Sequence, residues 1–311
     1  MTIHRNLDRL HSTSDDTASA YDAAGSNYIS YADGDPNEPF RFTSRYSFAD
    51  REIWCRLETT LNHFASDHRR TLRLLDAGCG PGTWSRRVAL RARELGFARV
   101  EVQCLDISAA MLDLARTAAA SIDDPAIGFT FIEGDLRRAL PYVNGTFDLT
   151  LCLYGVLNHL PQHVHCAVAR ELTRVTEGEL FASVRTVGSL PTIYVDSIEC
   201  ARAFHQDNDA DWMDVEMLDG SRLEFPSHLF TGEELRAIFQ PYLGDLQMRG
   251  LDLFHSRFAH NVHWNPACIA RDDVFAGELE SLEQRYAADP AFMNRAAHIL
   301  LVGESGPRFR H

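Results

Sequence analysis

The stretch that most constrains this chain is residues 72–82, Leu-Arg-Leu-Leu-Asp-Ala-Gly-Cys-Gly-Pro-Gly, which runs directly into an amphipathic segment over residues 83–95. An apolar strand that breaks into alternating glycines and then into a helix leaves few folds open. Gly78, Gly80 and Gly82 remove Cβ atoms where the chain must turn sharply, and the helix that follows offers unpaired N–H groups in its first turn. Such a junction lets a nucleotide-like ligand touch the backbone.

Strand and helix keep alternating downstream. Residues 100–106 read as a second strand that ends in Asp106, and Ser108 is placed to cap a helix with Met111, Leu114, Ala115, Ala118 and Ile122 at helical spacing. Residues 129–132 form a third strand. Residues 147–154 form a fourth, almost wholly apolar, as a strand covered on both faces should be. Asn158-His159-Leu160-Pro161 then turns into a helix stopped by Gly178, and a fifth strand occupies 180–184. Alternation of this kind argues for parallel pairing.

The rhythm breaks over residues 186–230, which read as a cap over the carboxyl ends of the strands: a short helical piece near 196–204, an acidic turn at 206–211 and a hairpin over 212–225. Thr231 with Glu234 then makes a capping box for a helix through Phe239, followed by a sixth strand at 246–254, a helix over 272–288 and a last strand at 298–303. Upstream, Asp50 is placed to cap a helix with Ile53, Trp54, Leu57, Leu61 and Phe64 on one face. The tyrosine-rich segment 21–46 before it either packs on the outside of the main domain or folds over the ligand as a lid.

Composition narrows the partners. With 311 residues, 45% of them hydrophobic, the chain can build one large α/β domain with insertions or two smaller ones. A net charge of −14 without a Lys/Arg stripe repels a phosphate backbone, so no nucleic-acid partner is expected. The seven cysteines are scattered without a C-x-x-C pair, as in a reducing compartment. No stretch approaches the roughly 18 apolar residues that cross a bilayer, and no signal peptide is evident. The expectation is a cytoplasmic protein without a membrane partner.

The glycine spacing separates two families. A dinucleotide-binding fingerprint, G-x-G-x-x-G, would place its third glycine at position 83, where the chain has Thr83. Asp76-x-Gly78-x-Gly80-x-Gly82 instead resembles the first motif of class I S-adenosylmethionine (SAM) dependent methyltransferases. The resemblance implies a Rossmann-like seven-stranded mixed sheet of order 3-2-1-4-5-7-6 with the last strand antiparallel. On that plan residues 1–66 are an N-terminal lid and docking helix, 67–185 the SAM-binding α/β core, 186–230 the inserted cap, and 231–311 the completion of the core.

Carried over position by position, the resemblance places Asp76, Gly78 and Gly80 along the methionine part of SAM and Asp106 on both ribose hydroxyls. It sets Ile107 against adenine, Asp135 on the adenine amino group with the Leu136 backbone close by, and Leu153 and Tyr154 beside the sulfonium. Each acid also has a plain structural reading, Asp106 as a helix cap and Asp135 as a turn residue after Gly134. Tyr28, Tyr31 and Arg45 are loosely similar to the segment of glycine and other amine N-methyltransferases that closes over SAM.

For the acceptor, His159 stands just past the fourth strand, as a general base or as a residue that positions the next helix. Arg185 leaves the fifth strand toward the same side, to hold a substrate carboxylate or to pair with surface acids. Tyr194, His205, His228 and His255 are further pocket candidates. His159, His163 and His165 lack an acid or cysteine to complete a set, so no metal is expected. The function expected is methyl transfer from SAM to an oxygen or nitrogen of a small molecule. Its rivals are a nicotinamide-dependent oxidoreductase and a catalytically silent SAM-binding regulator.

Overall fold

The computed structural model of the chain describes residues 14–25, 38–42, 46–67, 69–189, 201–217, 219–254 and 273–305. Seven strands form the main sheet: β1 (Thr71–Ala77), β2 (Arg99–Asp106), β3 (Ile127–Glu133), β4 (Phe147–Cys152), β5 (Thr176–Arg185), β9 (Leu243–Leu251) and β10 (His298–Ser305), in the order β3-β2-β1-β4-β5-β10-β9. β1 to β5 pair in parallel, and β10 runs antiparallel to both β5 and β9. Counted among themselves in chain order, these strands stand 3-2-1-4-5-7-6, the order the resemblance implied.

The helices are α1 (Ser14–Ala24), α2 (Ser47–Ser66), α3 (Thr83–Glu94), α4 (Ala109–Ala119), α5 (His165–Val175), α6 (Gly232–Phe239), α7 (Asp273–Tyr286) and the short α8 (Pro290–Met293). They cover both faces of the sheet, and the unbroken apolar runs of the strands follow from that. Adjacent residues of a strand point to opposite faces, so Leu74 enters a core with Leu57, Leu61 and Val88, while its neighbour Leu75 enters a second core with Leu172, Leu235 and Phe239. All four of the aliphatic partners drawn from α2, α3 and α5 are fully buried, each contributing about 1.5–3 kcal/mol. The chain crosses from one flank of the sheet to the other between β1 and β4, which opens a crevice at the carboxyl ends.

A separate antiparallel sheet is formed by β6 (Ala201–Asp207), β7 (Trp212–Met217) and β8 (Arg222–Pro226), the last of which meets His159 past β4. The hairpin expected over 212–225 is present with Val215 opposite Leu223, and Gly220 takes φ 84 in its turn. The helical piece expected near 196–204 is corrected from residue 201 onward, because β7 offers a free edge and residues 201–207 satisfy their backbone against it. α1 docks on this small sheet through Ala20, which packs with Met213 and Phe225. No described helix is long and apolar enough to cross a membrane.

Candidate active site

The glycine loop after β1 is tied to the tip of β2. Gly78 and Cys79 donate their N–H groups to the Leu105 carbonyl at 2.7 and 3.1 Å, and Gly80 N–H donates to Asp106 Oδ2 at 2.8 Å. Ser108 N–H reaches the other oxygen of Asp106 at 3.0 Å, and the Ser108 hydroxyl caps α4 by accepting from Met111 N at 3.1 Å, as its position in the sequence predicts. Asp76, at the tip of β1, accepts a short hydrogen bond from the Ser85 hydroxyl in the first turn of α3.

Asp76 and Asp106 are both buried, and among the described residues neither makes an ion pair. Burial pushes the Asp76 carboxyl up to about 6, with the Asp106 charge adding to the rise and Ser85 opposing it. Asp106 is raised too, again chiefly by burial and against the pull of the Ser108 and Gly80 N–H groups. Two dry carboxylates on neighbouring strand tips, with hydrogen-bond donors but no ion-pair partner among the described residues, suit an ammonium group and a vicinal diol. Those are the polar groups at the two ends of the methionine and ribose parts of SAM, so the residues present fit that cofactor.

Gly78 has no room for a side chain. Its φ is 78, and a Cβ there would stand 2.4 Å from Cγ2 of Val156. Gly78→Ala is therefore expected to cost about 2–4 kcal/mol from left-handed backbone and overpacking together, read as a lowered thermal midpoint and weakened SAM binding. Adding Val156→Ala should recover the overpacking share and leave the backbone share. A Gly78→Ala protein as stable as the parent would show that the loop is held less tightly than this.

On the acceptor side, β4 exits through buried Leu153 into Tyr154, whose φ of 56 turns it back over the site. Tyr154 N–H donates to Ser183 Oγ at 2.6 Å, and its ring stacks on Trp84 with centroids 6.1 Å apart. Its hydroxyl donates to Asp50. Asp50 does not cap α2 as expected; the helix begins at Ser47, and the carboxylate lies in its first turn, buried against that phenol.

Val156–His159 forms a 3-10 turn that carries His159. Its Nδ1 lies 3.1 Å from the Pro226 carbonyl, and its Nε2 lies 2.9 Å from the Tyr21 hydroxyl of α1. A carbonyl only accepts, so Nδ1 carries the proton and the Nε2 lone pair receives the Tyr21 O–H. Although the residue keeps partial surface exposure, the ring is enclosed by Tyr21, Phe225 and Pro226. That enclosure holds its pKa at about 4, with the Arg185 charge lowering it further, so the imidazole is neutral at physiological pH.

Asn158 fixes the turn. Fully buried, it accepts from Arg185 N–H at 2.9 Å and donates its amide to the carbonyls of Arg185 and His228. Asp22, the neighbour of Tyr21, takes the Ser108 hydroxyl at 2.5 Å and the Ala110 N–H at 3.3 Å, so α1 touches both ends of the crevice.

The structure thus gathers Asp76, Gly78, Gly80, Asp106, Leu153, Tyr154, His159 and Arg185 around the carboxyl ends of β1, β2, β4 and β5, with half-buried Ile107 just past β2 and buried Leu136 past β3. Both oxygens of Asp135 accept from Arg137 Nε, at 3.1 and 3.0 Å. His228 has both ring nitrogens engaged, by Asp211 and Glu234. His205 is exposed on β6, away from this group, while Tyr28, Tyr31, Arg45, Tyr194 and His255 lie outside the described residues. Tyr21, Asp22 and Asn158 were not singled out, because their partners are distant in sequence; Tyr21 and His159 are separated by 138 positions.

Residues 74–178 match a family model described as a methyltransferase domain. A probable methyltransferase, ltbC, of Aspergillus luteorubrus is 30% identical over 126 residues, which is 38% of this chain and 41% of the relative, so the chain spans well under half of that protein. Among solved structures, magnesium protoporphyrin IX methyltransferase from Synechocystis PCC 6803 with bound SAH is 19% identical, with 75% of this chain and 92% of that one covered and a TM-score of 0.47. The CcbJ methyltransferase from Streptomyces caelestis is 16% identical, with 80% and 89% covered and a TM-score of 0.47. The segment that matches a methyltransferase domain thus carries the glycine loop and the strand-tip carboxylates, within a sheet of the order that the resemblance to class I SAM-dependent methyltransferases implied.

Proposed function

We propose that the chain transfers the methyl group of SAM to an oxygen or nitrogen of a small molecule, with His159 as the base that receives the acceptor's proton. The observation that carries this reading is the neutral imidazole whose Nε2 lone pair faces the Tyr21 hydroxyl beside the β4 exit. The cofactor, when bound, supplies an electrophilic methyl group on a sulfonium leaving group.

The protein's own work is positioning, exclusion of water and disposal of one proton. Asp76 and Asp106 hold the two polar ends of the cofactor, and the Tyr154 phenol, anchored on Asp50, walls the site. Tyr21 donates to Nε2 until an acceptor O–H or N–H takes its place, and the Nδ1–H bond to the Pro226 carbonyl steadies the imidazolium that results. Residues 1–66 serve on this reading as lid and docking helix, and 186–230 as a cap. The acidic surface and the covered crevice support a small acceptor over a polyanion. An acceptor screen with methyl-labelled SAM tests the proposal; a folded protein that binds neither SAM nor S-adenosylhomocysteine would refute it.

A pH dependence follows from Asp76. A carboxyl whose folded value is raised to about 6 from 3.8 disfavours the empty folded state above pH 6, and that penalty is relieved as pH falls through 6 toward 4. A cofactor ammonium needs the charged form. SAM affinity is therefore expected to fall as pH drops below about 6, while kcat at saturating SAM holds until His159 protonates near 4. Calorimetric titration at several pH values, paired with initial rates, separates the two.

A further inference from the structure

Behind the His159 turn, three elements bring together His165 at the start of α5, His228 in the segment between β8 and α6, and Glu234 in the first turn of α6. One ring nitrogen of each histidine and a Glu234 oxygen lie within 4.8 Å of one another. His165 is 2% exposed, and its Nε2 lies 3.1 Å from the Leu157 carbonyl and 3.0 Å from the Leu160 carbonyl. Two carbonyls can only accept, so Nε2 carries the proton and Nδ1 presents a bare lone pair. That Nδ1 is buried and has no hydrogen-bond partner among the described residues.

His228 completes the group. Its ring centroid is 5.2 Å from that of His165, its Nε2 is 2.8 Å from Glu234 Oε1, and its Nδ1 is 2.9 Å from Asp211 Oδ2. We propose that His165 Nδ1, His228 Nε2 and the Glu234 carboxylate bind a zinc-class divalent cation, with Asp211 accepting from His228 Nδ1–H to orient that ring. Two imidazoles and one carboxylate are the donor set of a borderline cation, whereas calcium and magnesium require a shell of oxygens. An outer carboxylate on a ligand histidine and paired carbonyls on the other are the usual way a protein fixes which nitrogen faces the metal.

The alternative for His165 is an unpaired buried acceptor, which costs about 1–3 kcal/mol. Ligand atoms around a tetrahedral zinc stand about 3.3 Å apart, and the three here lie within 4.8 Å of one another. The ion joins the start of α5, the segment after β8 and the first turn of α6. Because His165 Nε2–H also holds the Leu157 and Leu160 carbonyls on either side of His159, the ion fastens the turn that carries the base.

The test uses the tag-free full-length chain stripped with chelator and titrated with zinc chloride in a calorimeter, followed by cobalt(II) substitution and absorption spectroscopy. One equivalent of zinc and the intense d–d bands of a tetrahedral cobalt site are expected. Glu234→Gln keeps size and hydrogen-bonding capacity while removing the charge, and is expected to weaken zinc by about tenfold or more; His228→Asn should abolish stoichiometric uptake. Circular dichroism checks that both variants are folded. No stoichiometric zinc in the parent chain, or parent-like affinity in folded Glu234→Gln, would overturn the assignment. SAM affinity is measured in parallel, so a failure here leaves the methyltransferase reading to stand or fall by itself.

Discussion

Asp106→Asn is expected to weaken SAM binding by about 100-fold. Hydrogen bonds to a charged acceptor contribute about 1.5–3 kcal/mol each, and two hydroxyl donors meeting one carboxylate give roughly 3 kcal/mol, or two decades of affinity. The carboxamide keeps the shape but points an N–H toward a donor, since Asp106 already accepts from Gly80 and Ser108 on its two oxygens. Asp135→Asn is the contrast. Arg137 occupies both oxygens of Asp135, so its replacement should shift SAM affinity by less than about threefold. Calorimetry on the two variants reads the difference, and the reverse ranking would mean that the adenosyl group lies elsewhere along the strand tips.

His159→Ala should lower kcat by about 10²–10⁴-fold for an acceptor that must lose a proton, the range typical of a positioned base, while SAM affinity stays within about twofold. Tyr21→Phe removes the hydroxyl that meets Nε2 at 2.9 Å and leaves the ring against His159, so its effect should be smaller and confined to kcat and the acceptor KM. A His159→Ala enzyme with parent-like kcat, measured with an acceptor of high pKa, would leave the residue a positioning role only. Loss of SAM binding in the same variant would point to collapse of the Val156–His159 turn.

Much of this was legible in the sequence because it is local. Apolar runs, glycine spacing and caps such as Ser108 and Thr231 act within a few residues, and the resemblance supplied the strand order that periodicity alone cannot. What escaped depends on contacts made across the fold. Asp50 has the spacing of a cap, yet its carboxylate is drawn to the Tyr154 phenol 104 positions away. Thr231 does accept from Glu234 N–H at 3.1 Å, but the Glu234 carboxylate that should return the bond goes to His228 instead. Asp135 is the opposite case, because Arg137 stood two positions away and a local ion pair was there to be read. The start of β6 failed for a third reason: its strand exists by virtue of the edge β7 presents.

Tyr21 and Asp22 are consecutive on α1, one reaching the His159 imidazole past β4 and the other the Ser108 hydroxyl that begins α4 next to Asp106. Neighbours on one helical turn cannot let go separately. Whatever displaces that helix breaks both contacts in a single movement, so the two sides of the crevice come free on one clock.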